Sequence, residues 1–230
     1  MLRTPFRTAL VSLAAALTVV SAAAAVTGST PDGEAHPYVG ALVVDGSVAC
    51  SGVLIAPTVF ATAGHCGADG TRVEVSLNSK LDGSWTLVRG TLEVDAAKRS
   101  DLAVVVLDAA TSATPATLPA AGSVDLLKRK DVVTSVGYGY SAQAADGSWV
   151  YDGLRRVADS PVVDVTKKLL KISTKAAGPC MGDSGGPQLT GNTVLSLTSG
   201  GPKDCTGRTE GYRLDTVSAR SFLAQYVTLP

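Results

Sequence analysis

Residues 39–63 read VGALVVDGSVACSGVLIAPTVFATA. Three apolar runs, 39–44, 48–55 and 59–63, are separated by Asp45-Gly46 and Ala56-Pro57, which are pairs typical of turns. Short apolar runs with turn residues at this spacing predict hairpins of an antiparallel sheet. This part of the chain therefore predicts a β-rich fold.

Further β-type runs follow on both sides of one irregular stretch. They cover residues 72–77, 85–93, 102–107, 132–138, 149–157, 168–173 and 194–198. The stretch 109–125 is rich in Ala, Thr and Pro and has no clear period, so we expect a linker there. A helix is expected at about 217–226, where Phe222 and Tyr226 stand four residues apart.

The two strand-rich halves predict an all-β protein of two antiparallel β-barrels of the six-stranded type with a C-terminal helix. Barrels satisfy the pattern because each one closes its own sheet edges. The first is expected at about 26–115 and the second at about 120–215.

Charge and composition limit the possible partners. The 230 residues carry 20 Lys and Arg against 20 Asp and Glu, so there is no basic excess to bind a nucleic acid. Apolar residues make up 45%, which is enough for a folded core and too apolar for a disordered chain.

The N-terminus has the pattern of an export signal. Arg3 and Arg7 precede an apolar run at 9–20 and small residues at 21–25. The run is too short and too rich in Ala for a membrane span. We expect a signal peptide at 1–25, a secreted protein that begins at Val26, and no membrane association after cleavage.

The cysteines indicate disulfides rather than a metal site. An exported chain meets an oxidising compartment, where four cysteines pair, and three pairings are open. The chain has two histidines and no C-x-x-C motif, so few metal ligands are present. We expect two disulfides and no metal among Cys50, Cys66, Cys180 and Cys205.

Ser184 is the candidate nucleophile. It lies in CMGDSGGP, residues 180–187, whose glycines allow a tight turn and a close approach of substrate to the backbone. The alternative is a Gly-rich turn whose serine caps a backbone group.

A serine hydroxyl needs an imidazole base near neutral pH. His65 in ATAGHC, residues 61–66, is the better candidate, because His36 precedes Pro37 and is typical of a surface or packing histidine. Asp101 opens the run 102–107 and would orient the imidazole. Taken alone, Asp101 would be interpreted as an ordinary acidic residue at the end of a strand. The order His, Asp, Ser along the chain favours a catalytic role for it.

These residues lie in motifs that resemble those of a known family. TAGHC (62–66), DLAVVVL (101–107) and GDSGGP (182–187) resemble, in the same order, the three active-site motifs of the chymotrypsin/trypsin-like serine proteases. The resemblance covers about 26–226. It implies a monomeric secreted serine endopeptidase that needs no cofactor and acts on protein or peptide substrates, with protein protease inhibitors as candidate partners.

The resemblance also implies individual roles. Ser184 would attack the carbonyl, His65 would carry the proton, and Asp101 would support the imidazolium. The backbone N–H groups of Gly182 and Ser184 would form the oxyanion hole. Gly137-Tyr138-Gly139 resembles the family's G-W-G segment. The implied disulfides are Cys50 with Cys66 and Cys180 with Cys205.

The mature N-terminus departs from the family pattern. Members usually begin with I-V-G-G, whose amine pairs with the acid before the catalytic serine, here Asp183. This chain has VTGS from Val26 to Ser29. Cleavage before Val26 would supply that amine without a propeptide; with an earlier cut, Asp183 would need another partner, such as an Arg. Both possibilities stay open here.

The substrate pocket is the second departure. Gly178 stands where trypsin-like members carry an Asp, and Ser199, Gly200 and Gly201 resemble the pocket wall. Together with Gly211 they predict an uncharged slot for a large apolar side chain. In the competing interpretation Glu210 or Asp204 enters the slot and restores basic specificity.

Two further hypotheses compete with an active enzyme. One is a catalytically silent homologue that binds a partner. The other is a non-catalytic β-rich surface protein that shares only its turns with these proteases. The joint presence of His65, Asp101 and Ser184 argues against both.

Overall fold

The computed structural model describes residues 28–230. The expected signal peptide at 1–25 and the expected mature terminus at Val26 lie outside these residues. Within them, no helix is long and apolar enough to span a membrane.

The first barrel contains the apolar hairpins of residues 39–63. A two-residue strand, β1 (Thr30–Pro31), precedes it. The barrel closes antiparallel in the order β2-β3-β4-β7-β6-β5. Its strands are β2 (Val39–Val44), β3 (Ser47–Ala56), β4 (Val59–Thr62), β5 (Arg72–Ser76), β6 (Val88–Val94) and β7 (Ala103–Leu107).

The second half forms a second six-stranded antiparallel barrel beside a short hairpin, β9 (Ala142–Gln143) with β10 (Trp149–Val150). The strand order in this barrel is β8-β11-β12-β15-β14-β13, and pairing of β13 with β8 closes it. The short strand β1 pairs antiparallel with the first residues of β11. The strands are β8 (Val132–Gly137), β11 (Arg156–Val165), β12 (Leu169–Ser173), β13 (Pro187–Thr190), β14 (Thr193–Gly200) and β15 (Arg208–Arg213). The expected fold class of two six-stranded barrels is confirmed.

The C-terminal helix, α1 (Val217–Leu223), ends three residues earlier than expected. The hydroxyl of Thr216 accepts from the backbone N–H of Ala219 and caps its first turn. Phe222 and Leu223 are buried, so the apolar stripe of the helix faces the protein.

Some strands differ from the expected ones. The run at 149–157 is split into β10 and β11, because Leu154 N–H bonds to the carboxylate of Asp152 and Gly153 takes a positive φ of 68°. The strand expected at 85–93 begins at Val88. Four strands in the described residues were not expected: β1, β9, β13 and β15.

One apolar core joins the two barrels. Leu102 of the first half belongs to the same buried cluster as Leu189, Leu197 and Tyr212 of the second, and as Phe222 of α1. Such a continuous core holds the two barrels against each other, so loops from both can build one rigid site.

Candidate active site

His65 lies on a one-turn 3-10 helix, Gly64–Cys66, directly after β4. The Cys50–Cys66 disulfide ties this turn to β3 with a Cα separation of 6.1 Å. A side chain at Gly64 would place its Cβ 3.1 Å from the backbone nitrogen of Leu102. Glycine at this position therefore lets the histidine turn approach the residue pair 101–102.

Asp101 holds His65 through two kinds of hydrogen bond. The His65 ring donates from Nδ1 to the carboxylate at 3.0 Å, and the His65 backbone N–H donates to the same carboxylate oxygen at 3.0 Å. Ser199 Oγ donates to the other oxygen. Because Nδ1 carries the hydrogen in this contact, Nε2 is the acceptor nitrogen of the neutral ring.

The same contacts shift the titration of both groups. The hydrogen bond to Asp101 raises the pKa of His65, outweighing the opposite effect of burial. Burial alone would raise the pKa of Asp101, but the hydrogen bonds from His65 and Ser199 outweigh it and lower that pKa. Asp101 is therefore ionised at neutral pH and stabilises a protonated His65.

The serine loop packs directly on the histidine turn. Gly185 has a φ of 79°, and a Cβ there would lie 2.2 Å from Thr62 Oγ1 and 2.7 Å from the Ala63 backbone nitrogen. The carbonyl of Ser184 accepts from Ser51 N–H at 2.9 Å and lies 3.9 Å from the sulfur of Cys66. The fold thus packs the serine loop against the turn that carries His65, and within residues 28–230 no hydrogen bond joins Ser184 Oγ to the imidazole.

Two backbone donors of this loop are unpaired. Across the described chain, neither Gly182 N–H nor Ser184 N–H donates to a protein acceptor. The φ of 91° at Gly182 orients the first of them. These are the two groups that the resemblance assigns to an oxyanion hole.

Asp183 is buried below the serine loop. Its carboxylate accepts from Gly139 N–H at 2.8 Å and from Cys180 N–H at 2.9 Å, and no cationic side chain among residues 28–230 pairs with it. Burial raises the pKa of Asp183 to about 6, against the lowering effect of the two backbone donors. A Cβ at Gly137 or Gly139 would lie within 2.4 Å of this carboxylate, so both glycines of the GYG segment make room for it.

A cavity of about 180 Å³ opens beside Ser184. It contains no acidic side chain and is lined by Pro179, Cys180, Met181, Ser184, Thr198, Gly200, Gly201, Pro202, Lys203 and Thr209. The Cys180–Cys205 disulfide links the serine loop to the loop on the opposite side of this cavity. Lys203 and Thr209 were not identified from the sequence.

Three residues expected in the pocket are not among those that line this cavity. Ser199 bonds to Asp101. A Cβ at Gly178 would meet Thr174, and one at Gly211 would meet the side chains of Gln188 and Ser196. Gly200 and Gly201 do line the cavity.

The two acids considered as pocket charges also lie outside the cavity. Glu210 forms an ion pair with Lys171 at 2.9 Å. Its neighbour Thr209 faces the cavity, and side chains alternate along a strand, so Glu210 points to the opposite face. Asp204 accepts hydrogen bonds from Thr206.

An ionic cluster between the barrels was missed by the sequence analysis. The guanidinium of Arg155 is fully buried and donates to Asp32 at 2.8 Å and to the carbonyls of Gly33, Val39 and Leu77. His36 donates its backbone N–H to the same Asp32 carboxylate and contacts it through Nδ1. His36 is therefore a packing residue, as the sequence suggested. A fully buried Arg has no periodic signal that could have revealed it.

Cys50, His65 and Cys66 bring potential metal-ligand atoms within 4.8 Å of one another. Both sulfurs are bonded to each other in the disulfide, so this trio offers one free ligand, the imidazole.

Comparisons with known proteins agree with the fold and the motifs. The family model described as Trypsin matches residues 25–219. Trypsin of Saccharopolyspora erythraea is 27% identical over 192 residues, spanning 72% of this chain and 82% of that protein. Brachyurin of Leptuca pugilator is 31% identical over 191 residues, spanning 72% of this chain and 81% of that protein.

Solved structures show the same double barrel. The structure of HL collagenase has a TM-score of 0.68 at 20% identity and covers 83% of this chain and 93% of its own. The structure of HBP has a TM-score of 0.70 at 17% identity, with 88% and 97% covered. At these identities the likeness concerns the fold.

Proposed function

Because the chain belongs to the trypsin family of serine proteases, we propose that Ser184, His65 and Asp101 form the triad with which it hydrolyses peptide bonds. The supporting observation is the arrangement around His65. Asp101 holds Nδ1, and the serine loop packs against the turn that carries the ring. This leaves Nε2 as the base for a nearby hydroxyl.

The reaction follows from these positions. Ser184 Oγ attacks the carbonyl carbon of the scissile bond while His65 Nε2 takes the hydroxyl proton. The carbonyl oxygen becomes negative and accepts hydrogen bonds from the N–H groups of Gly182 and Ser184. The C–N bond then breaks, His65 gives its proton to the leaving amine, and the acyl group stays on Ser184 as an ester. Water, deprotonated by His65, hydrolyses the ester and restores the serine.

The primary pocket supports a preference for large apolar residues before the scissile bond. An Arg or Lys entering the cavity would lose water and find no carboxylate, which costs several kcal/mol for a buried charge. Lys203, which lines the cavity, would also repel a basic side chain that enters it. Phe, Tyr and Leu meet neither penalty and gain roughly 2 to 3 kcal/mol from burial.

A peptide library cleaved by the purified enzyme tests this preference. We expect cleavage after Phe, Tyr or Leu to dominate over cleavage after Arg or Lys. Exchange of Lys203→Glu should raise the relative cleavage after basic residues, whereas Glu210→Gln, outside the cavity, should not change the ratio. Dominant cleavage after Arg by the parent enzyme would refute the apolar pocket.

The proposed setting of this activity is outside the cell. Two disulfides suit an oxidising compartment, in agreement with an export signal at 1–25. In the mature protein we propose that the Val26 amine pairs with Asp183, since that buried carboxylate has only backbone donors within the described chain. N-terminal sequencing of the secreted protein tests the cleavage site.

A fluorophosphonate probe tests the triad itself. It reacts with a serine only when a base activates the hydroxyl. We expect labelling of the parent protein at Ser184 and none of Ser184→Ala or His65→Ala. A folded parent protein that stays unlabelled would instead favour the silent homologue.

A further inference from the structure

Ser51 is a fully buried serine of β3, and no step of the proposed reaction uses its side chain. It directly follows Cys50, which a disulfide ties to the histidine turn. The Ser51 hydroxyl accepts from the backbone N–H of Tyr138 at 2.9 Å and donates to the carbonyl of Gly182 at 3.0 Å. Because a hydroxyl has one hydrogen to donate, these contacts direct that hydrogen toward the serine loop.

The backbone of Ser51 bonds to the same loop at a second point. Its N–H donates to the carbonyl of Ser184 at 2.9 Å. Ser51 therefore binds the carbonyls of both Gly182 and Ser184. In the described chain these are the two residues of the loop whose own N–H groups were found unpaired above. One residue of the first barrel thus contacts both members of the proposed oxyanion hole.

Three successive backbone N–H groups after β8 reach the serine loop. Gly139 N–H donates to the buried carboxylate of this loop at 2.8 Å, and Tyr140 N–H donates to the carbonyl of Met181 at 2.8 Å. The third is Tyr138 N–H, which reaches the loop through the hydroxyl of Ser51. The Ser51 side chain therefore completes a row of hydrogen bonds between the GYG segment and the loop.

Gly182 depends on such contacts because its backbone is permissive. Its φ of 91° lies in a region that glycine can enter and leave at little cost. Its N–H belongs to the peptide group that it shares with Met181, and its carbonyl belongs to the next peptide group. Tyr140 holds the first group and Ser51 holds the second. Without the Ser51 hydroxyl the second group can rotate, and the direction of the Gly182 N–H is no longer fixed.

The neighbouring backbone leaves a fitted space for this side chain. A Cβ at Gly137 would lie 2.9 Å from Ser51 Oγ, and one at Gly186 would lie 3.2 Å from Ser51 Cβ. Glycines at these two positions let the strand and the loop pack closely around the hydroxyl. Such dense packing limits the positions that the hydroxyl can take.

We propose that Ser51 is a positioning residue for the oxyanion hole: its hydroxyl links Tyr138 N–H to the Gly182 carbonyl and thereby orients the Gly182 N–H. The inference rests on the proposed function. Ser51 does not touch the substrate and acts only through the serine loop. Since the oxyanion develops during the reaction, a misdirected donor affects the transition state more than the bound substrate.

Steady-state kinetics on one peptide amide substrate test this role. Ser51→Ala removes the hydroxyl and keeps the Cβ. With an amide substrate acylation is slow, so KM approximates the dissociation constant. We expect kcat of Ser51→Ala to fall by about 10- to 100-fold, because a whole oxyanion donor is worth about 10²- to 10³-fold and a misdirected one keeps part of its effect. KM should stay within about twofold of the parent value.

Ser76→Ala is the matched control. Ser76 is fully buried in the first barrel and lies opposite Ala41, the residue that also pairs with Ser51. The Ser76 hydroxyl bonds to Asn78 and not to the serine loop. Both variants lose one buried hydroxyl, so we expect similar changes in the midpoint of thermal unfolding. Only Ser51→Ala should lose kcat.

A trifluoromethyl ketone with the same peptide part gives a second readout. Ser184 Oγ adds to its carbonyl carbon, the hydroxyl proton passes to His65, and the carbonyl oxygen becomes an anion in the proposed hole. The alcohol obtained by reducing this ketone occupies the same pocket and forms no anion. We expect Ser51→Ala to weaken binding of the ketone by about the same factor as kcat and binding of the alcohol by less than about twofold.

The outcomes distinguish this inference from the proposed function. A folded Ser51→Ala protein with the kcat of the parent would overturn the inference. Equal weakening of the ketone and the alcohol would also overturn it, because the whole site would then be disturbed. A parent protein that neither cleaves the amide nor binds the ketone more tightly than the alcohol would refute the proposed function, and the inference with it.

If Ser51→Ala does not fold, Ser51→Cys takes its place. The thiol fills nearly the same space and is a weak hydrogen-bond donor, so kcat should fall by about three- to tenfold while KM stays unchanged. Peptide mapping checks that the Cys50–Cys66 disulfide is intact in this variant. An unchanged kcat would overturn the inference here as well.

Discussion

At the scale of single residues, the contacts of His65 define what the site can do. One carboxylate holds both the ring and the backbone of this residue, so the ring has little freedom to turn. The side chain remains 46% exposed, which leaves room for a substrate next to Nε2. A rigid, accessible imidazole of this kind would need little reorganisation to act as the proposed base.

The first prediction concerns the triad. We expect Ser184→Ala and His65→Ala each to lower kcat by on the order of 10⁴- to 10⁶-fold, because triad members act as a unit. Thermal unfolding should stay close to that of the parent protein, since His65 is exposed and Ser184 loses only a hydroxyl. A Ser184→Ala protein that keeps a tenth of the parent activity would contradict the mechanism.

The second prediction concerns pH. His65 must be neutral to accept the proton, and Asp101 raises its pKa, so kcat/KM should fall on acidification with a midpoint above the ordinary value of 6.5. In Asp101→Asn the stabilising charge is lost, and the midpoint should move down while kcat falls by roughly 10⁴-fold. Rate profiles between pH 5 and 9 check both; an unchanged midpoint in Asp101→Asn would argue against this pairing.

At the scale of elements, the site depends on how closely two loops approach. The serine loop and the end of β4 touch where Gly185 has no side chain. The Cys50–Cys66 disulfide fixes the histidine turn, and the Cys180–Cys205 disulfide fixes the serine loop. The site geometry therefore depends on backbone packing as much as on the reacting side chains.

The third prediction compares two glycines with left-handed backbone. Gly185→Ala should destabilise the protein by about 1 to 3 kcal/mol more than Gly191→Ala and should abolish most activity. Both residues have positive φ, but a Cβ at Gly185 collides with Thr62 and Ala63, whereas one at Gly191 meets no atom within 4 Å. Urea unfolding and ester hydrolysis measure the difference. Equal stability of the two variants would show that Gly185 does not lie this close to Thr62 and Ala63.

At the scale of the whole molecule, the cluster around Arg155 connects segments that are distant in sequence. It binds Asp32 after β1, the carbonyl of Val39 in β2 and the carbonyl of Leu77 after β5. β1 itself pairs with β11 of the second barrel. The segment from Thr30 to Val39 is thereby attached to both barrels.

The fourth prediction is that Arg155→Met destabilises the protein by about 3 to 5 kcal/mol, because it leaves Asp32 buried without its ionic partner. Arg72→Ala, which breaks the exposed pair with Asp108, should leave the free energy of unfolding close to that of the parent protein. Denaturant unfolding compares them. If both variants lost a similar free energy of unfolding, the buried ion pair would not stabilise the protein more than the exposed one does.

The same cluster links stability to pH. Burial alone would raise the pKa of Asp32, but hydrogen bonds from His36 and Arg155 outweigh it and lower that pKa. The contribution of Asp32 to the free energy of unfolding is therefore fully present at pH values above the ordinary Asp pKa. It is lost as the pH falls toward the lowered pKa. The Arg155→Met protein should lose less of its remaining stability on acidification than the parent protein does.

The sequence by itself predicted the barrel strands with strong apolar patterns and identified the three residues of the proposed triad. β2, β3 and β4 were predictable because their apolar runs and turn pairs are local features. The motifs around His65, Asp101 and Ser184 were recognisable for the same reason. β13 and β15 were missed because residues 187–190 and 208–213 are short and mostly polar or glycine-containing, so only pairing with neighbouring strands makes them strands.

Only the tertiary structure decided which residues face the cavity beside Ser184. The pairing of β14 with β15 shifts by one residue between Thr198 and Gly200. Such a bulge exchanges the faces of the residues that follow it, and local sequence does not reveal its position. The extra residue lies on β14, whereas β15 keeps a regular register with β12, so that Thr209 faces the cavity, Glu210 pairs with Lys171, and Gly211 packs on Gln188. The contacts of Arg155 were equally hidden, because they join segments more than a hundred residues apart whose proximity exists only after the two barrels have packed together.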